Sequence, residues 1–335
     1  MRERESAFTA PAWLANAHLQ SLGASLPFWA PPRSFRPHAA ESLRVPLPHR
    51  GALRAAAWWQ GYRAPAAIVV HGVAGSATSR YVVRAAVSLY RAGWHAVRLD
   101  LRGAGASLEE SPSLYHAGLT EDPRAAIDLL SRDPRVDGVF LVGFSLGGHV
   151  LLRLAGELGA DAPAPIRAVV SISAPLDLSA VSAALERVGV RVYQHYVLQN
   201  LVRTAREFAR ANPDRAHYTV STLEDLATVR AYDTAVVAPM HGFSSAETYY
   251  EEASAAPLLA RIRVPTLIVH AEDDPLVPEG TVRPWLSRGA GGPVEQAWTR
   301  HGGHVGWFAG VSEASWVDTW AMQRARAFLR SAPPR

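Results

Sequence analysis

Short apolar runs alternate with segments of helical spacing through the first half of the chain. The apolar runs cover residues 66–70, 94–99 and 138–142, and each has the length and continuous character of a strand that is covered on both faces. Between them, residues 80–92 and 120–130 carry apolar side chains at the spacing of an amphipathic helix. Strands that alternate with helices in this way predict a parallel sheet with helices on both faces.

The same pattern resumes on both sides of this block. Further strands are predicted at residues 43–48, 53–59, 168–173, 264–270 and 294–298, and a closing helix at 313–330. Because Pro46 and Pro48 lie in the first of these strands, that strand is predicted to form an edge of the sheet. The predicted fold class is therefore α/β, a single domain with a mostly parallel sheet flanked by helices, whose core comprises residues 41–178 and 262–335.

Two stretches fall outside this pattern. Residues 179–261 contain helical segments, including two Ser/Thr-x-x-acid capping boxes at 222–225 and 244–247, and no convincing strand. A helical insertion between two sheet strands predicts a cap that shapes a substrate pocket. The alternative is a structural insertion that packs on the flank of the sheet. Residues 1–40 are Pro-rich and aromatic without periodicity, and they are predicted to wrap the domain surface.

A serine lies between two glycines where the strand at 138–142 meets a helix, in the sequence GFSLG at residues 143–147. The residues two before and two after such a serine must lack bulk, because the turn is very sharp, and Gly143 and Gly147 meet that requirement. This arrangement is typical of the nucleophile elbow of α/β-hydrolases, which would expose Ser145 above the edge of the sheet. The alternative is an ordinary Gly/Ser turn.

A second glycine-rich turn, HGVAG at residues 71–75, follows the apolar run at 66–70. Such a turn can place the backbone N–H of Val73 beside the N–H of Leu146, the residue after the serine. Two donors in this position would form an oxyanion hole, and each is commonly worth about 3 to 4 kcal/mol of transition-state stabilisation. The alternative is a plain turn between strand and helix, but the neighbouring elbow favours the oxyanion hole.

Later loops offer an acid and a base in the chain order Ser, Asp or Glu, His that this fold uses. Three carboxylates, Glu272, Asp273 and Asp274, follow the strand at 264–270, and one of them is expected to orient a histidine. After the last strand, His304 is favoured over His301 as general base because two glycines precede it. Asp100 also ends a strand, but it precedes the serine and is predicted to cap a loop.

The amino-acid composition limits which partners and cofactors the protein is expected to bind. The 335 residues are 48% hydrophobic and 19% charged, and they include no cysteine, so a thiolate nucleophile and thiolate metal sites are excluded. All 34 basic residues are arginines scattered singly along the chain, which indicates a solvated surface and not a nucleic-acid site. The two histidines at 301 and 304 are not part of a helix-borne metal motif, so neither metal nor cofactor is predicted.

No apolar stretch reaches about 18 residues, the length that a membrane span requires. The first six residues carry mixed charges and no apolar signal-peptide region follows them. The sequence therefore predicts a cytoplasmic protein without stable membrane insertion. Its oligomeric state cannot be read from these patterns.

Several further motifs stand in a fixed order along nearly the whole chain. They are WLANAHLQ (13–20), HGVAGS (71–76), YHAGLTED (115–122), GFSLGG (143–148), APLDL (174–178), HGF with YY (241–243, 249–250), DDP (273–275) and HGGHVG (301–306). With these motifs the chain resembles the YheT-type α/β-fold hydrolases, bacterial relatives of the abhydrolase-domain lipases and esterases of eukaryotes. Members of this family are mostly expected to be esterases.

The resemblance implies a catalytic triad of Ser145, Asp274 and His304. Asp274 is chosen because related hydrolases place their acid at this point of a G-x-x-D-x-x-V-P pattern, with Ala271 here in the position of the glycine. Asp273 is the main alternative.

The chain departs from the family at two places. Val73 and Ala74 stand where Leu-Glu is usual, and this should not affect a donor that acts through its backbone. His149 stands where asparagine is usual, and it is expected to alter the pocket wall. Together with His71 and Phe243, His149 is therefore a candidate substrate-binding residue.

The predicted function is a serine hydrolase that cleaves carboxylic esters of small molecules or lipids through an acyl-enzyme intermediate. One alternative is a lipase or phospholipase acting on long acyl chains, which the aromatic residues of the predicted cap favour. They are Tyr193, Tyr196, Phe208 and Phe243. Amide and thioester substrates would suit the same triad. A non-catalytic binding scaffold is a further alternative, but such scaffolds typically lose a triad member, and here all three positions are filled.

Overall fold

A computed structural model describes residues 2–5, 8–23, 39–289, 292–310, 315–320 and 323–324. These residues form a nine-stranded sheet. Its strands are β1 (Arg2–Glu5), β2 (Glu41–Pro46), β3 (Ala52–Trp58), β4 (Ala64–Val70), β5 (His95–Leu99), β6 (Val136–Phe144), β7 (Ile166–Ile172), β8 (Thr266–Ala271) and β9 (Val294–Thr299).

The strand order is β1-β9-β8-β7-β6-β4-β5-β3-β2. Neighbouring strands from β1 to β5 run parallel, β3 is antiparallel to β5, and β2 is antiparallel to β3. The prediction of a mostly parallel α/β-hydrolase sheet is confirmed. Because β6 lies between β4 and β7, the loops that follow these three strands meet at one edge of the sheet.

Strand β1 corrects the expectation for residues 1–40. It was predicted as part of a surface wrapping, but it pairs in parallel with β9 at the edge of the sheet, with Arg2 opposite Glu295 and Glu5 opposite Trp298. Its sequence, RERE, lacks the apolar residues that identify buried strands. Charged residues are tolerated in an edge strand because one of its sides is not covered by another strand.

The helices flank the sheet and fill the segment between β7 and β8. They are α1 (Ala17–Gly23), α2 (Arg80–Arg91), α3 (Glu121–Ser131), α4 (Leu146–Leu158), α5 (Leu178–Leu185), α6 (Arg191–Ala211), α7 (Val229–Tyr232), α8 (Ala238–His241), α9 (Ala246–Ala253) and α10 (Arg283–Ser287). Residues 316–320 and 323–324 are also helical. They belong to the predicted closing helix of residues 313–330. Ser315 is described and is not helical, and the other residues of that prediction, including Phe328, lie outside the described part of the chain.

Each face of the sheet has its own apolar core. In β4, Ile68 and Val70 belong to the cluster that contains α3 and α4, whereas Ala67 and Val69 belong to the cluster that contains α2. This alternation follows from the two-residue period of a strand. Burial on both faces explains why the central strands read as continuous apolar runs.

Between β7 and β8 the chain contains helices and no strand, and every residue of this stretch is described. A third apolar cluster holds these helices together, with α6 contributing Leu198, Leu201 and Phe208. The capping box predicted at 244–247 does mark a helix, although Ser245 is the residue that accepts the Thr248 N–H at the start of α9.

The box predicted at 222–225 is wrong, because these residues overlap only a single 3-10 turn, Ser221–Leu223. The next helix, α7, begins later and is capped by Thr228. Within the described residues, no helix is both long and apolar enough to cross a bilayer.

Candidate active site

Ser145 lies at the sharp turn between β6 and α4, with φ 51° and ψ −119°. A residue other than glycine rarely adopts this conformation, and holding it costs on the order of 1 to 3 kcal/mol. A Cβ atom on Gly143 would lie 2.5 Å from the carbonyl carbon and oxygen of Gly147, and one on Gly147 would lie 2.5 Å from the carbonyl oxygens of Val70 and His71. The turn can therefore form only with glycine at both positions.

His304 is paired with Asp274 in a buried site. Its Nδ1 lies 2.8 Å from Oδ2 of Asp274. The other carboxylate oxygen accepts the backbone N–H groups of Leu276 and Val277, each at 2.9 Å. A carboxylate held in this way fixes the tautomer of the imidazole with the proton on Nδ1, which leaves Nε2 free to accept a proton.

Asp273 has different partners. Its two oxygens accept hydrogen bonds from Nδ1 of His301 at 3.2 Å and from the backbone N–H of Gly303 at 2.8 Å. The structure thus contains two adjacent His–Asp pairs. Only the pair of His304 and Asp274 shares a cavity with Ser145, because His304 lines it and His301 does not.

The backbone after β4 forms a loop directly beside the elbow. A Cβ on Gly72 would lie 3.0 Å from Cβ of Ser145. Two tyrosine hydroxyls accept alternate amides of this loop: Tyr81 Oη accepts the Gly72 N–H at 2.9 Å, and Tyr115 Oη accepts the Ala74 N–H at 2.6 Å. The amide between them, that of Val73, donates to no group in the described part of the chain.

The N–H of Leu146 is likewise without an acceptor among the described residues, since it belongs to the first residue of α4. Val73 and Leu146 both line the small cavity that contains Ser145. The structure therefore offers two unoccupied amide donors beside the serine, as an oxyanion hole requires. Sequence reasoning missed Tyr81 and Tyr115. The motif at 115–122 marked the region of Tyr115, but the contact with Ala74 could not be read from it.

The motif at residues 13–20 supports the loop that carries His304. Gln20 is fully buried, and its amide nitrogen donates to the carbonyl oxygens of Leu14 and Phe308, each at 3.0 Å. Its side-chain oxygen accepts the Phe308 N–H at 2.7 Å. In addition, Ser21 Oγ accepts the backbone N–H of His304 at 2.8 Å. Helix α1 thus fixes both the histidine backbone and the residues that follow it.

Replacing Gln20 by methionine is expected to lower the free energy of unfolding by about 2 to 4 kcal/mol, because it removes three buried hydrogen bonds, to Leu14 and Phe308, that a methionine side chain cannot replace. Urea denaturation of the two proteins measures this difference. The control is Leu19→Gln in the same helix at an exposed position, for which we expect a change within about 0.5 kcal/mol. Equal stability of Gln20→Met and the parent protein would contradict this role for Gln20.

The prediction that His71 contacts substrate is wrong. The imidazole is fully buried and lines neither cavity at Ser145. Its Nδ1–H donates to the carbonyl oxygen of Gly72 at 2.8 Å, and its Nε2 accepts the N–H of Leu101 at 3.2 Å. Burial lowers the pKa of His71. The ring joins the loops that follow β4 and β5.

The prediction for His149 is wrong in the same respect. The residue is fully buried in α4, and its ring nitrogens lie 2.6 Å from the carbonyl oxygen of Pro175 and 2.8 Å from that of Ala253. Burial lowers the pKa of His149, and the two carbonyl contacts oppose this shift. The side chain links α4 to the end of α9 behind the cavity wall.

Phe243 does not line either cavity at Ser145. It packs against the rings of His116 and Tyr249, with centroids 5.3 Å away in both cases, and these two residues line the small cavity. Asp100, in contrast, behaves as predicted: its carboxylate accepts the N–H groups of Ala77 and Ala106 and so caps a loop.

Ser145 and His304 lie in the wall of two cavities. The smaller has a volume of about 120 Å³ and extends among α5, α6, α7 and α9. The larger, of about 650 Å³, is bordered by α1, the loop at 72–76 and α6. Both cavities include Val73, Val197 and Leu276. No hydrogen bond joins Ser145 Oγ to His304 in the described structure, and such contacts often tighten only when substrate is bound.

Comparison with known proteins shows the family to which the chain is similar. The family model described as "Serine aminopeptidase, S33" matches residues 63–305. The chain is similar to YheT of Escherichia coli, an esterase by its name, with 34% identity over 252 residues that cover 75% of this chain and 73% of YheT. It is also similar to the monoacylglycerol lipase of Saccharomyces cerevisiae, with 32% identity over 269 residues that cover 75% of this chain and 57% of the yeast protein.

Among solved structures, the esterase Pf2001 of Pyrococcus furiosus superposes with a TM-score of 0.57 at 16% sequence identity, covering 89% of this chain and 90% of that protein. At this level of identity the likeness shows the fold alone. In the described part of the chain, no group of three histidine, aspartate or glutamate side chains is arranged to hold a metal ion.

Proposed function

The chain belongs to the YheT-type family of α/β hydrolases, which includes esterases and lipases, and from this membership we propose that it is a serine hydrolase that cleaves carboxylic esters through an acyl-enzyme. The observation that carries the proposal is that a histidine hydrogen-bonded to a buried aspartate shares its cavities with a serine at a nucleophile elbow. We also propose that the substrate is an acyl ester of a small molecule or a lipid.

In the proposed reaction, Nε2 of His304 takes the proton from Ser145 Oγ as this oxygen attacks the ester carbonyl. The N–H groups of Val73 and Leu146 hold the negative charge that develops on the carbonyl oxygen. The imidazolium, stabilised by Asp274, then gives its proton to the departing alcohol. Water attacks the acyl-enzyme by the same route, which releases the acid and restores Ser145.

We further propose that residues 179–261 act as a cap over the serine. Side chains from α5, α6, α7 and α9 form about half of the wall of the small cavity. A cover of this kind limits the access of water to the acyl-enzyme.

We also propose that the protein is located in the cytoplasm.

A second candidate function is a lipase that acts on long acyl chains. The rim of the large cavity exposes three large apolar side chains, Leu22 (54% exposed), Val192 (70%) and Tyr196 (60%). Exposed apolar groups around a cavity are typical of sites that receive an apolar partner. This observation favours a long-chain substrate in the large cavity.

Two measurements test the proposed function. A fluorophosphonate is expected to label one residue, Ser145, as located by peptide mass spectrometry, and p-nitrophenyl esters from acetate to palmitate are expected to be hydrolysed. The preferred chain length separates a short-chain esterase from a lipase. The protein unfolded by heat serves as the control for nonspecific labelling. A folded protein that is not labelled and hydrolyses no ester would indicate a binding scaffold.

A further inference from the structure

A carboxylate that has no role in the proposed reaction lies in the wall of the small cavity. Asp233 is the first residue of a π-helix, Asp233–Val237, and is 8% exposed. It lines the same cavity as Ser145 and His304. π-Helical turns are rare and are frequent at functional sites, because their irregular geometry re-aims side chains.

One oxygen of Asp233 is engaged and the other is not. Oδ2 accepts the hydroxyl of Tyr250 at 2.6 Å, and the oxygen of Tyr250 lies 3.2 Å from Ser182 Oγ. Oδ1 accepts no hydrogen bond from any described residue. Oδ1 is not a fully buried atom, so its lone pairs are available to a group that enters the cavity.

The surroundings compensate only in part for the burial of this carboxylate, through the hydrogen bond from Tyr250 and the charge of Arg230. Most of the remaining wall is apolar, for example Leu178, Val181, Leu185 and Val229. The nearby cation, Arg230, pairs with Glu186 at 3.6 Å and with Glu247 at 2.7 Å. Burial raises the pKa of Asp233 to about 7. A strong acceptor thus faces an apolar cavity without a donor of its own for one oxygen.

We propose that Asp233, together with Tyr250 and Ser182, forms a polar subsite that binds a hydroxyl or ammonium group on the part of the substrate that enters the small cavity. The inference rests on the proposed function and narrows its substrate class. A cavity of about 120 Å³ is slightly smaller than one of about 150 Å³ that holds benzene. The bound group is therefore a short arm that ends in a hydrogen-bond donor.

The test compares esters that differ only in one terminal group. On the acyl side, p-nitrophenyl hexanoate is compared with its 6-hydroxy and 6-ammonio derivatives. On the alcohol side, butyl hexanoate is compared with its 4-hydroxybutyl and 4-ammoniobutyl counterparts by titration of released acid. The quantity measured is the ratio of kcat/KM for the substituted ester to that for the plain ester, so that a general loss of activity cancels.

On one of the two sides, we expect a substituted ester to be preferred by at least about tenfold, since a site built to hydrogen-bond a group strongly rejects the analogue that lacks it. Asp233→Leu should abolish the preference. Asp233→Asn keeps a neutral acceptor, so it should retain a preference for hydroxyl and lose one for ammonium. The matched control, Asp225→Asn at an exposed position of the same segment, should leave the ratio unchanged.

Turnover of plain and substituted esters with equal kcat/KM by the parent protein, on both sides, would overturn the subsite and leave the proposed function intact. If no ester is hydrolysed, the proposed function fails instead. The subsite then has a separate readout, the shift in thermal unfolding temperature caused by 1,6-hexanediol relative to 1-hexanol. A larger shift for the diol in the parent protein than in Asp233→Leu supports the subsite, and an equal shift refutes it.

Discussion

Ser145→Ala is expected to lower kcat for ester hydrolysis by about 10⁴- to 10⁶-fold, with no comparable change in KM. The variant keeps the free amides of Val73 and Leu146 and the pair of His304 and Asp274, so it should still bind substrate and stabilise an oxyanion. It lacks the oxygen that forms the acyl-enzyme in the proposed reaction, and the remaining hydrolysis would depend on direct attack by water. Steady-state kinetics on a p-nitrophenyl ester measures the effect.

The matched control for this substitution is Ser221→Ala, which removes an exposed hydroxyl far along the chain from the elbow. We expect its kcat to stay within about twofold of the parent, as is usual for surface positions. Covalent labelling by a fluorophosphonate should disappear in Ser145→Ala and persist in Ser221→Ala. Undiminished labelling or turnover in Ser145→Ala would show that another residue is the nucleophile.

Asp274→Asn is expected to lower kcat by about 10⁴-fold. An uncharged amide in this position cannot stabilise the imidazolium, and an amide N–H facing Nδ1 would favour the tautomer that carries its proton on Nε2, where the base must accept one. The matched variant is Asp273→Asn, one position earlier. Its amide oxygen can still accept the Gly303 N–H, so we expect a decrease of about fivefold or less.

The comparison of the two variants separates the two His–Asp pairs by kinetics. Circular dichroism and thermal unfolding show whether both proteins are folded, so that a loss of kcat is not attributed to misfolding. A larger loss for Asp273→Asn than for Asp274→Asn would assign the acid to the other pair and, with it, the base to His301.

The sequence predicted the sheet and the loops that carry the candidate triad because these depend on local patterns. Apolar runs that end in Gly143, in His71 or just before Asp274 define a strand and the loop at its carboxyl end. Parallel strands then bring these loops to one edge of the sheet. The glycines around Ser145 and before His304 then indicated which serine and which histidine are the candidates for nucleophile and base.

What the sequence could not predict depends on contacts between distant segments. The hydroxyl of Tyr115 meets the amide of Ala74 across 41 positions, and no local pattern records such a pair. The rings of His71 and His149 line neither cavity, since each is buried and bound to backbone groups of distant loops or helices. Strand β1 was not predicted because its composition is not typical of a strand; it is a strand because it pairs with β9.

The contact of Gln20 with Phe308 spans 288 positions of the chain, and this distance has a consequence during protein synthesis. A growing chain can form the elbow and the loop of Val73 once β7 has left the ribosome. The loop of His304 follows only after β9, and it then has to dock on a helix, α1, that was made long before it. We therefore expect a prematurely terminated chain to present the serine without its base, so that hydrolytic activity reports synthesis of the chain through this loop.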